Sequence, residues 1–238
     1  MGQFSQAVTT VITEMQRTIK HAGVNARVPD IIAISKRQPE DRIEEALAMG
    51  WRRFGENQVQ EAADRWEHRR PLLPDLELHL VGPLQSNKVA QAVAQFDVIH
   101  TVDREKIARK LAQEMAKQDR WLPCFIQVNT GNEPQKSGVS LDALADFVPF
   151  VRDDLKLPVK GLMCLPPRDE DPALHFGLLK KLAKRHELPD LSMGMSGDYP
   201  IAAAMGARYV RLGTSLFGER PANWAGVTHQ AEPALSAE

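Results

Sequence analysis

Long apolar runs are missing from this chain of 238 residues. No stretch approaches the ~18–20 residues that a helical bilayer crossing needs, so the sequence offers no membrane span. An excess of one charge is missing too. Lysine plus arginine number 30 against 31 aspartate plus glutamate, a formal net charge of −1. A dedicated nucleic-acid-binding domain is strongly basic, so neither nucleic acid nor membrane is expected as a partner. Cysteine is scarce: Cys124 and Cys164 each sit in an apolar run and read as buried, reduced thiols of a cytoplasmic protein. The N-terminus MGQFSQAVTTVITEMQRTIK has no signal-peptide core, and Gln6 stands where a myristoylation motif wants Ser or Thr. Low-complexity linkers and composition shifts are also lacking, which argues for one domain.

What is present is a recurring unit: a short apolar strand, a polar loop and an amphipathic helix. An opening helix is expected over 3–23. Strands are expected at IIAISK (31–36), WRRFG (51–55), LELHLVG (76–82), FDVIHT (96–101), CFIQVNT (124–130), VKGLMCL (159–165), LSMGM (191–195) and YVRLG (209–213). Helical patterns such as PEDRIEEALAM (39–49) and DREKIARKLAQEM (103–115) fill the gaps. Pro39 takes a first-turn position, with Glu40 and Asp41 favouring the positive end of the helix dipole. Gly50 follows the helix where a left-handed cap wants glycine. Asn57 and Gln60 have capping-box spacing. ALAMGWRRFG (46–55) and AAAMGARYVRLG (202–213) pass from helix to strand in the same way. Eight strands alternating with helices predict a single-domain (β/α)8 TIM barrel over 1–220 with a flexible tail at 221–238. An open doubly wound sheet is the structural alternative. Both place a ligand at the carboxyl ends of the strands.

Strand alternation then selects residues. Ile32, Ile34 and Lys36 share one face of the first strand. A lysine at the mouth of an apolar interior loses hydration, its pKa falls, and its amine can attack a carbonyl. In the last strand Tyr209, Arg211 and Gly213 share a face opposite Val210 and Leu212, which sends Arg211 inward to seek an anion or an acceptor. Gly213 and Thr214 offer amides and a hydroxyl at the rim. Gly194-Met195-Ser196-Gly197-Asp198 precedes a helix, a place where free amides hold anions or where Ser196 or Asp198 simply caps. His79 and His100 lie on strands three and four without a carboxylate or cysteine at ligand spacing, so no metal is expected. Asn87, Lys88 and Lys136 stay ambiguous between site mouth and solvent, and RDED (168–171) reads as a solvated loop. A lysine, an inward arginine and a phosphate-type loop pair suit a phosphorylated carbonyl compound. Pyridoxal 5′-phosphate and a sugar phosphate held by a Schiff-base aldolase both fit.

Eight motifs in order carry a resemblance: AISK (33–36), FGENQVQE (54–61), HLVGPLQSNK (79–88), TVDR (101–104), QKSGV (135–139), GLMCLPP (161–167), SMGMSGD (192–198) and VRLGTSLFG (210–218). Together they resemble the pyridoxal phosphate homeostasis proteins, small single-domain relatives of the alanine racemase barrel. The resemblance implies that Lys36 holds the cofactor as a Schiff base and that Ser196, Gly213 and Thr214 bind its phosphate. It further implies that Arg211 faces the pyridine nitrogen, that Asn57 lies near the ring and that Met195 contacts the cofactor. Arg37 and Gln38 depart from the family pattern, which has Thr and Lys there. The implied role is a monomeric carrier or regulator of pyridoxal phosphate, passing it to apo-enzymes without turnover. In the racemase a second base comes from an added domain, and the residues after the last strand here are too few to build one. The alternative is a pyridoxal-phosphate-dependent racemase or another Schiff-base enzyme on the same barrel. A cofactor-free scaffold is the third class.

Overall fold

A computed structural model describes residues 2–219, and the tail expected at 221–238 lies outside the described residues. Eight parallel strands close into a barrel in chain order. They are β1 (Asp30–Ile34), β2 (Arg53–Glu56), β3 (Glu77–Leu80), β4 (Val98–Val102), β5 (Cys124–Val128), β6 (Val159–Cys164), β7 (Asp190–Ser192) and β8 (Tyr209–Leu212). The seam is closed by β1 against β8, with Asp30 opposite Tyr209 and Ile32 opposite Arg211. The expected (β/α)8 barrel is therefore the fold, and the open sheet is ruled out.

Alternation distributes the strand side chains as the pattern predicts. Ile32, Val98, Phe125, Met163 and Tyr209 form an inner cluster with Ile34 and Leu165 packed on it. Ile31, Ala33, Val210 and Leu212 belong instead to the larger layer between strands and helices. Each large aliphatic side chain buried there contributes about 1.5–3 kcal/mol.

Around the barrel run α1 (Gln3–His21), α2 (Glu40–Ala48), α3 (Val59–Trp66), α4 (Val89–Gln95), α5 (Glu105–Gln118), α6 (Leu144–Pro149), α7 (Pro172–Arg185), α8 (Tyr199–Ala204) and α9 (Thr214–Phe217). The buried stripe of α1 is Phe4, Val11, Met15 and Ile19, one face of a 3.6-residue period. It packs against α8 and α9, with Phe4 and Phe217 ring centroids 5.2 Å apart. Pro149 lacks an N–H, and at that point α6 gives way to a π turn over Phe150–Asp154.

The helix-to-strand repeat is real. Gly50 and Gly206 both have left-handed φ, 81° and 90°. After α2, Trp51 N–H donates to the Ala46 carbonyl and Gly50 N–H to that of Leu47. After α8, Ala207 and Gly206 repeat this on Ala202 and Ala203. Two helices thus end on the same Schellman-type pair.

Two expectations are corrected. The capping box from Asn57 does not form, because the cap of α3 is Gln58, with no side-chain capping bond. Gln60 instead donates to Asp64 at 3.0 Å. Pro39 is the cap residue itself, one place before the first turn of α2. Cys124 and Cys164 are free and buried. Cys124 lies opposite Val159 and Cys164 opposite Val128. That separates them by about 13 Å along the strand pair, too far for a disulfide. Burial pushes both thiols up to about 12.

Candidate functional site

At the carboxyl ends of the strands a cavity of about 430 Å³ is lined by Lys36, Asn57, Met195, Ser196, Arg211, Gly213 and Thr214, with Ile34, Val81, Leu165 and Gly197. All seven residues that the resemblance implies for the cofactor lie on it. Val81 and Leu165 were not singled out; their only signal is their position at strand ends.

Lys36 sits two residues past β1, half-buried, in a turn held from both sides. Ser35 N–H donates to the Gly55 carbonyl at 3.1 Å, extending the ladder to β2. Arg65 of α3 donates to the Ser35 carbonyl at 2.8 Å and to the Gln38 carbonyl at 3.2 Å. Arg37 adopts a left-handed φ of 53°, and its N–H donates to Glu61 Oε1 at 2.8 Å. Glu56 anchors this assembly: its Oε1 accepts from Ser35 Oγ at 2.6 Å, Arg65 Nη1 at 2.9 Å and Trp66 Nε1 at 3.1 Å. Burial pushes the Glu56 carboxyl up, while Arg65 and the Ser35 hydroxyl pull against it. Sequence reasoning missed this clamp because its members lie on three elements with no short-range spacing.

Arg211 points into the barrel, as alternation requires, and is only 5% exposed. Its Nη1 donates to Ser192 Oγ at 2.7 Å and its Nη2 to the Cys164 carbonyl at 2.8 Å. Its holders inside the fold are thus neutral acceptors. Burial lowers its proton affinity, opposed by the neighbouring Cys164 and Asp198.

The loop after β7 turns on Gly194, with φ 96°, and Gly194 O accepts the Arg211 N–H at 2.9 Å. Asp198 accepts the Met195 N–H at 2.6 Å, and its carboxyl is raised by burial. Ser196 Oγ accepts the Ser215 N–H at 3.2 Å, which ties this loop to the start of α9. The cavity therefore presents the Ser196 and Thr214 hydroxyls, the small residues Gly197 and Gly213, the lysine, and the apolar side chains of Ile34, Val81 and Leu165.

The remaining candidates lie elsewhere. Lys88 Nζ donates to Gln60 at 3.2 Å and Asn87 is exposed. Lys136 donates to the Pro166 carbonyl at 3.2 Å and lines a neighbouring cavity that shares Leu165 and Met195. In the RDED segment Arg168, Asp169 and Glu170 are exposed, and Asp171 caps α7 through the Ala173 N–H at 2.9 Å. Among the described residues no cluster of three or more His, Cys, Asp or Glu could hold a metal.

The donor set fits pyridoxal phosphate: an amine for an aldehyde, hydroxyls and small residues for a phosphate, an arginine for a ring nitrogen, and apolar walls for the ring.

The family model described as alanine racemase, N-terminal domain, matches residues 20–221. The pyridoxal phosphate homeostasis protein of Vibrio cholerae is 35% identical over 230 residues, covering 92% of this chain and 98% of that one. Its Escherichia coli K12 counterpart is 36% identical over 229 residues, with coverage of 92% and 98%. PipY of Synechococcus elongatus, solved with PLP bound, is similar at a TM-score of 0.69 and 35% identity, covering 86% of this chain and 100% of that one.

Proposed function

We propose, since the chain belongs to the alanine racemase N-terminal domain family and within it to the pyridoxal phosphate homeostasis proteins, that it binds pyridoxal 5′-phosphate and serves the cell's handling of that cofactor. The observation that carries this reading is the convergence of Lys36, Arg211 and the Ser196–Thr214 pair on one cavity. Lys36 is assigned as the covalent anchor for the aldehyde. Ser196, Gly213 and Thr214 are assigned to the phosphate, Arg211 to the ring nitrogen, and Asn57 and Met195 to the ring's surroundings. When bound, the cofactor would supply an electrophilic aldehyde and an electron-withdrawing ring.

Arg211 can only donate, since a guanidinium keeps its protons. A donor at the ring nitrogen opposes protonation there, so the ring is a poor sink for a carbanion. This supports a carrier without amino-acid turnover, and the relatives are named for pyridoxal phosphate homeostasis. Apo-enzymes that need the cofactor are the natural recipients. We assign the carrier to the cytoplasm as a monomer, with its barrel domain ending near residue 220.

The test is borohydride reduction of protein loaded with pyridoxal phosphate, followed by peptide mapping. The pyridoxyl group should map to Lys36 and be absent in Lys36→Ala. A reduced adduct on another lysine, or none at all, overturns the reading. Incubation with single amino acids in deuterated water should wash no deuterium into Cα; exchange would make the protein an enzyme.

A further inference from the structure

A line of polar groups, buried except for its first member, crosses the barrel interior, and the site described above uses only its last member. Glu77 Oε1 lies 3.0 Å from His79 Nε2, His79 Nδ1 lies 2.8 Å from His100 Nε2, and His100 Nδ1 lies 2.9 Å from Ser192 Oγ. Arg211 Nη1 then donates to Ser192 Oγ at 2.7 Å. His79, His100 and Ser192 are fully buried. Four strands, β3, β4, β7 and β8, contribute these residues.

We infer that Glu77, His79, His100 and Ser192 are positioning residues that orient the Arg211 guanidinium through a one-way chain of hydrogen bonds. The inference rests on the assignment of Arg211 to the ligand's ring.

The direction follows from the carboxylate end and neutral rings. A guanidinium only donates and an ionised carboxylate only accepts. The Glu77 carboxylate needs the His79 proton on Nε2, so a neutral His79 accepts at Nδ1 from His100. A neutral His100 accepts at Nδ1 from the Ser192 hydroxyl, whose oxygen accepts from Arg211. His100 therefore carries its proton on Nε2 and gives it to His79 Nδ1, and His79 carries its proton on Nε2, facing Glu77. Four bonds use four protons, and both rings are neutral. A proton added to either ring would reverse at least one of these bonds.

The surroundings support neutral rings. Phe125 of β5 stacks on His100 at 4.7 Å and 4°, and Tyr209 of β8 packs edge-on against both rings. The charged groups acting on His79 are Glu77, Arg53 of β2 and Asp97 before β4; His100 meets Arg211 and His79 itself. Burial lowers both histidines, His100 well below the ordinary value, and Glu77 is lowered to about 2 with help from His79 and Arg53. An arginine held in this way cannot swing to another acceptor without uncoupling the chain, so its remaining N–H groups keep a fixed aim.

The test begins with the cofactor-free protein. Long-range ¹H–¹⁵N NMR should find His79 and His100 both protonated on Nε2, with neither ring titrating where an ordinary histidine does. Glu77→Gln, at the half-exposed end, can donate as well as accept and should scramble the His79 tautomer. Binding is then measured with pyridoxine 5′-phosphate, which has no aldehyde and so leaves Lys36 out of the comparison. His100→Leu and Glu77→Gln should raise its Kd about five- to tenfold, the worth of one hydrogen bond. His100→Gln, able to accept from Ser192 and donate to His79, should restore Kd to within about twofold. Borohydride trapping of pyridoxal phosphate at Lys36 should persist in all three.

A proton on either Nδ1, or unchanged tautomers and Kd in Glu77→Gln, overturns the inference. Should His100→Leu fail to fold, Glu77→Gln decides alone. Loss of Lys36 trapping in the unaltered protein would instead sink the cofactor reading, while the tautomers still report on the chain.

Discussion

Arg65 meets Glu56 at 2.9 Å, with the two side chains 5% and 0% exposed. The same guanidinium bonds the carbonyls of Ser35 and Gln38 on either side of Lys36. A pair usually regarded as structural thus holds the turn that presents the site lysine.

Replacing Arg65 with Met leaves the Glu56 carboxylate buried without its cation, which costs about 3–5 kcal/mol. Urea unfolding of Arg65→Met should show that loss. Arg65→Lys should recover less than half of it, because one ammonium cannot reproduce a planar fork serving Glu56 and two carbonyls. Equal stability of Arg65→Met and the parent would deny the clamp.

The Ser196–Thr214 pair is assigned to a phosphate, and that makes a differential prediction. Ser196→Ala combined with Thr214→Ala should raise the Kd for pyridoxal phosphate by about tenfold or more, two hydrogen bonds to a charged group being lost. Affinity for unphosphorylated pyridoxal should be unchanged. If both ligands weaken equally, these hydroxyls shape the cavity and do not read the phosphate.

Glu77 carries a pH signature. Its carboxyl falls from 4.5 to about 2 in the fold, through His79 and Arg53 acting against burial. A group depressed in this sense stabilises the fold fully above its unfolded value and loses that contribution as pH falls toward the folded value. Allowing for its 32% side-chain exposure, about 1–2 kcal/mol is at stake. The stability gap between the parent and Glu77→Gln should be constant from about pH 8 to 5.5 and narrow steadily at lower pH. A gap that widens in acid would reverse the assignment.

Gly194 is a backbone prediction. Its φ of 96° suits glycine, and an added Cβ would stand 2.6 Å from the Ala202 Cβ and 3.1 Å from Val210 Cγ1. Gly194→Ala should lose about 2–4 kcal/mol from strain plus overpacking. It should also weaken ligand binding, because Met195 and Ser196 follow directly. Thermal unfolding beside a binding isotherm checks both.

The barrel was legible because its strands are short apolar runs between capped helices, and period-2 alternation alone aimed Arg211 inward. The same rule was available at β3, where Glu77 and His79 share a face two residues apart. A carboxylate two residues from a histidine on one strand face marks no metal site, yet it suffices to orient a neutral imidazole. The contact of His79 with His100 depends on the curvature that sets two strands side by side, and no local pattern encodes it. Arg65 is hidden for another reason: as one of many arginines on an amphipathic helix it looks solvated, and only the tertiary fold buries it. At Asn57 the capping spacing was present, but the helix begins one residue later than that spacing needs.

The seam between β1 and β8 has a consequence in time. Lys36 follows the first strand and Arg211 lies on the last, so these two residues of the cavity leave the ribosome at widely separated times. A nascent chain still lacking Tyr209–Leu212 holds the lysine but has nothing to close against. Ligand binding stabilises only species that possess the site. Capture of the ligand therefore rewards finished molecules alone, and a stalled or clipped chain gains no such protection.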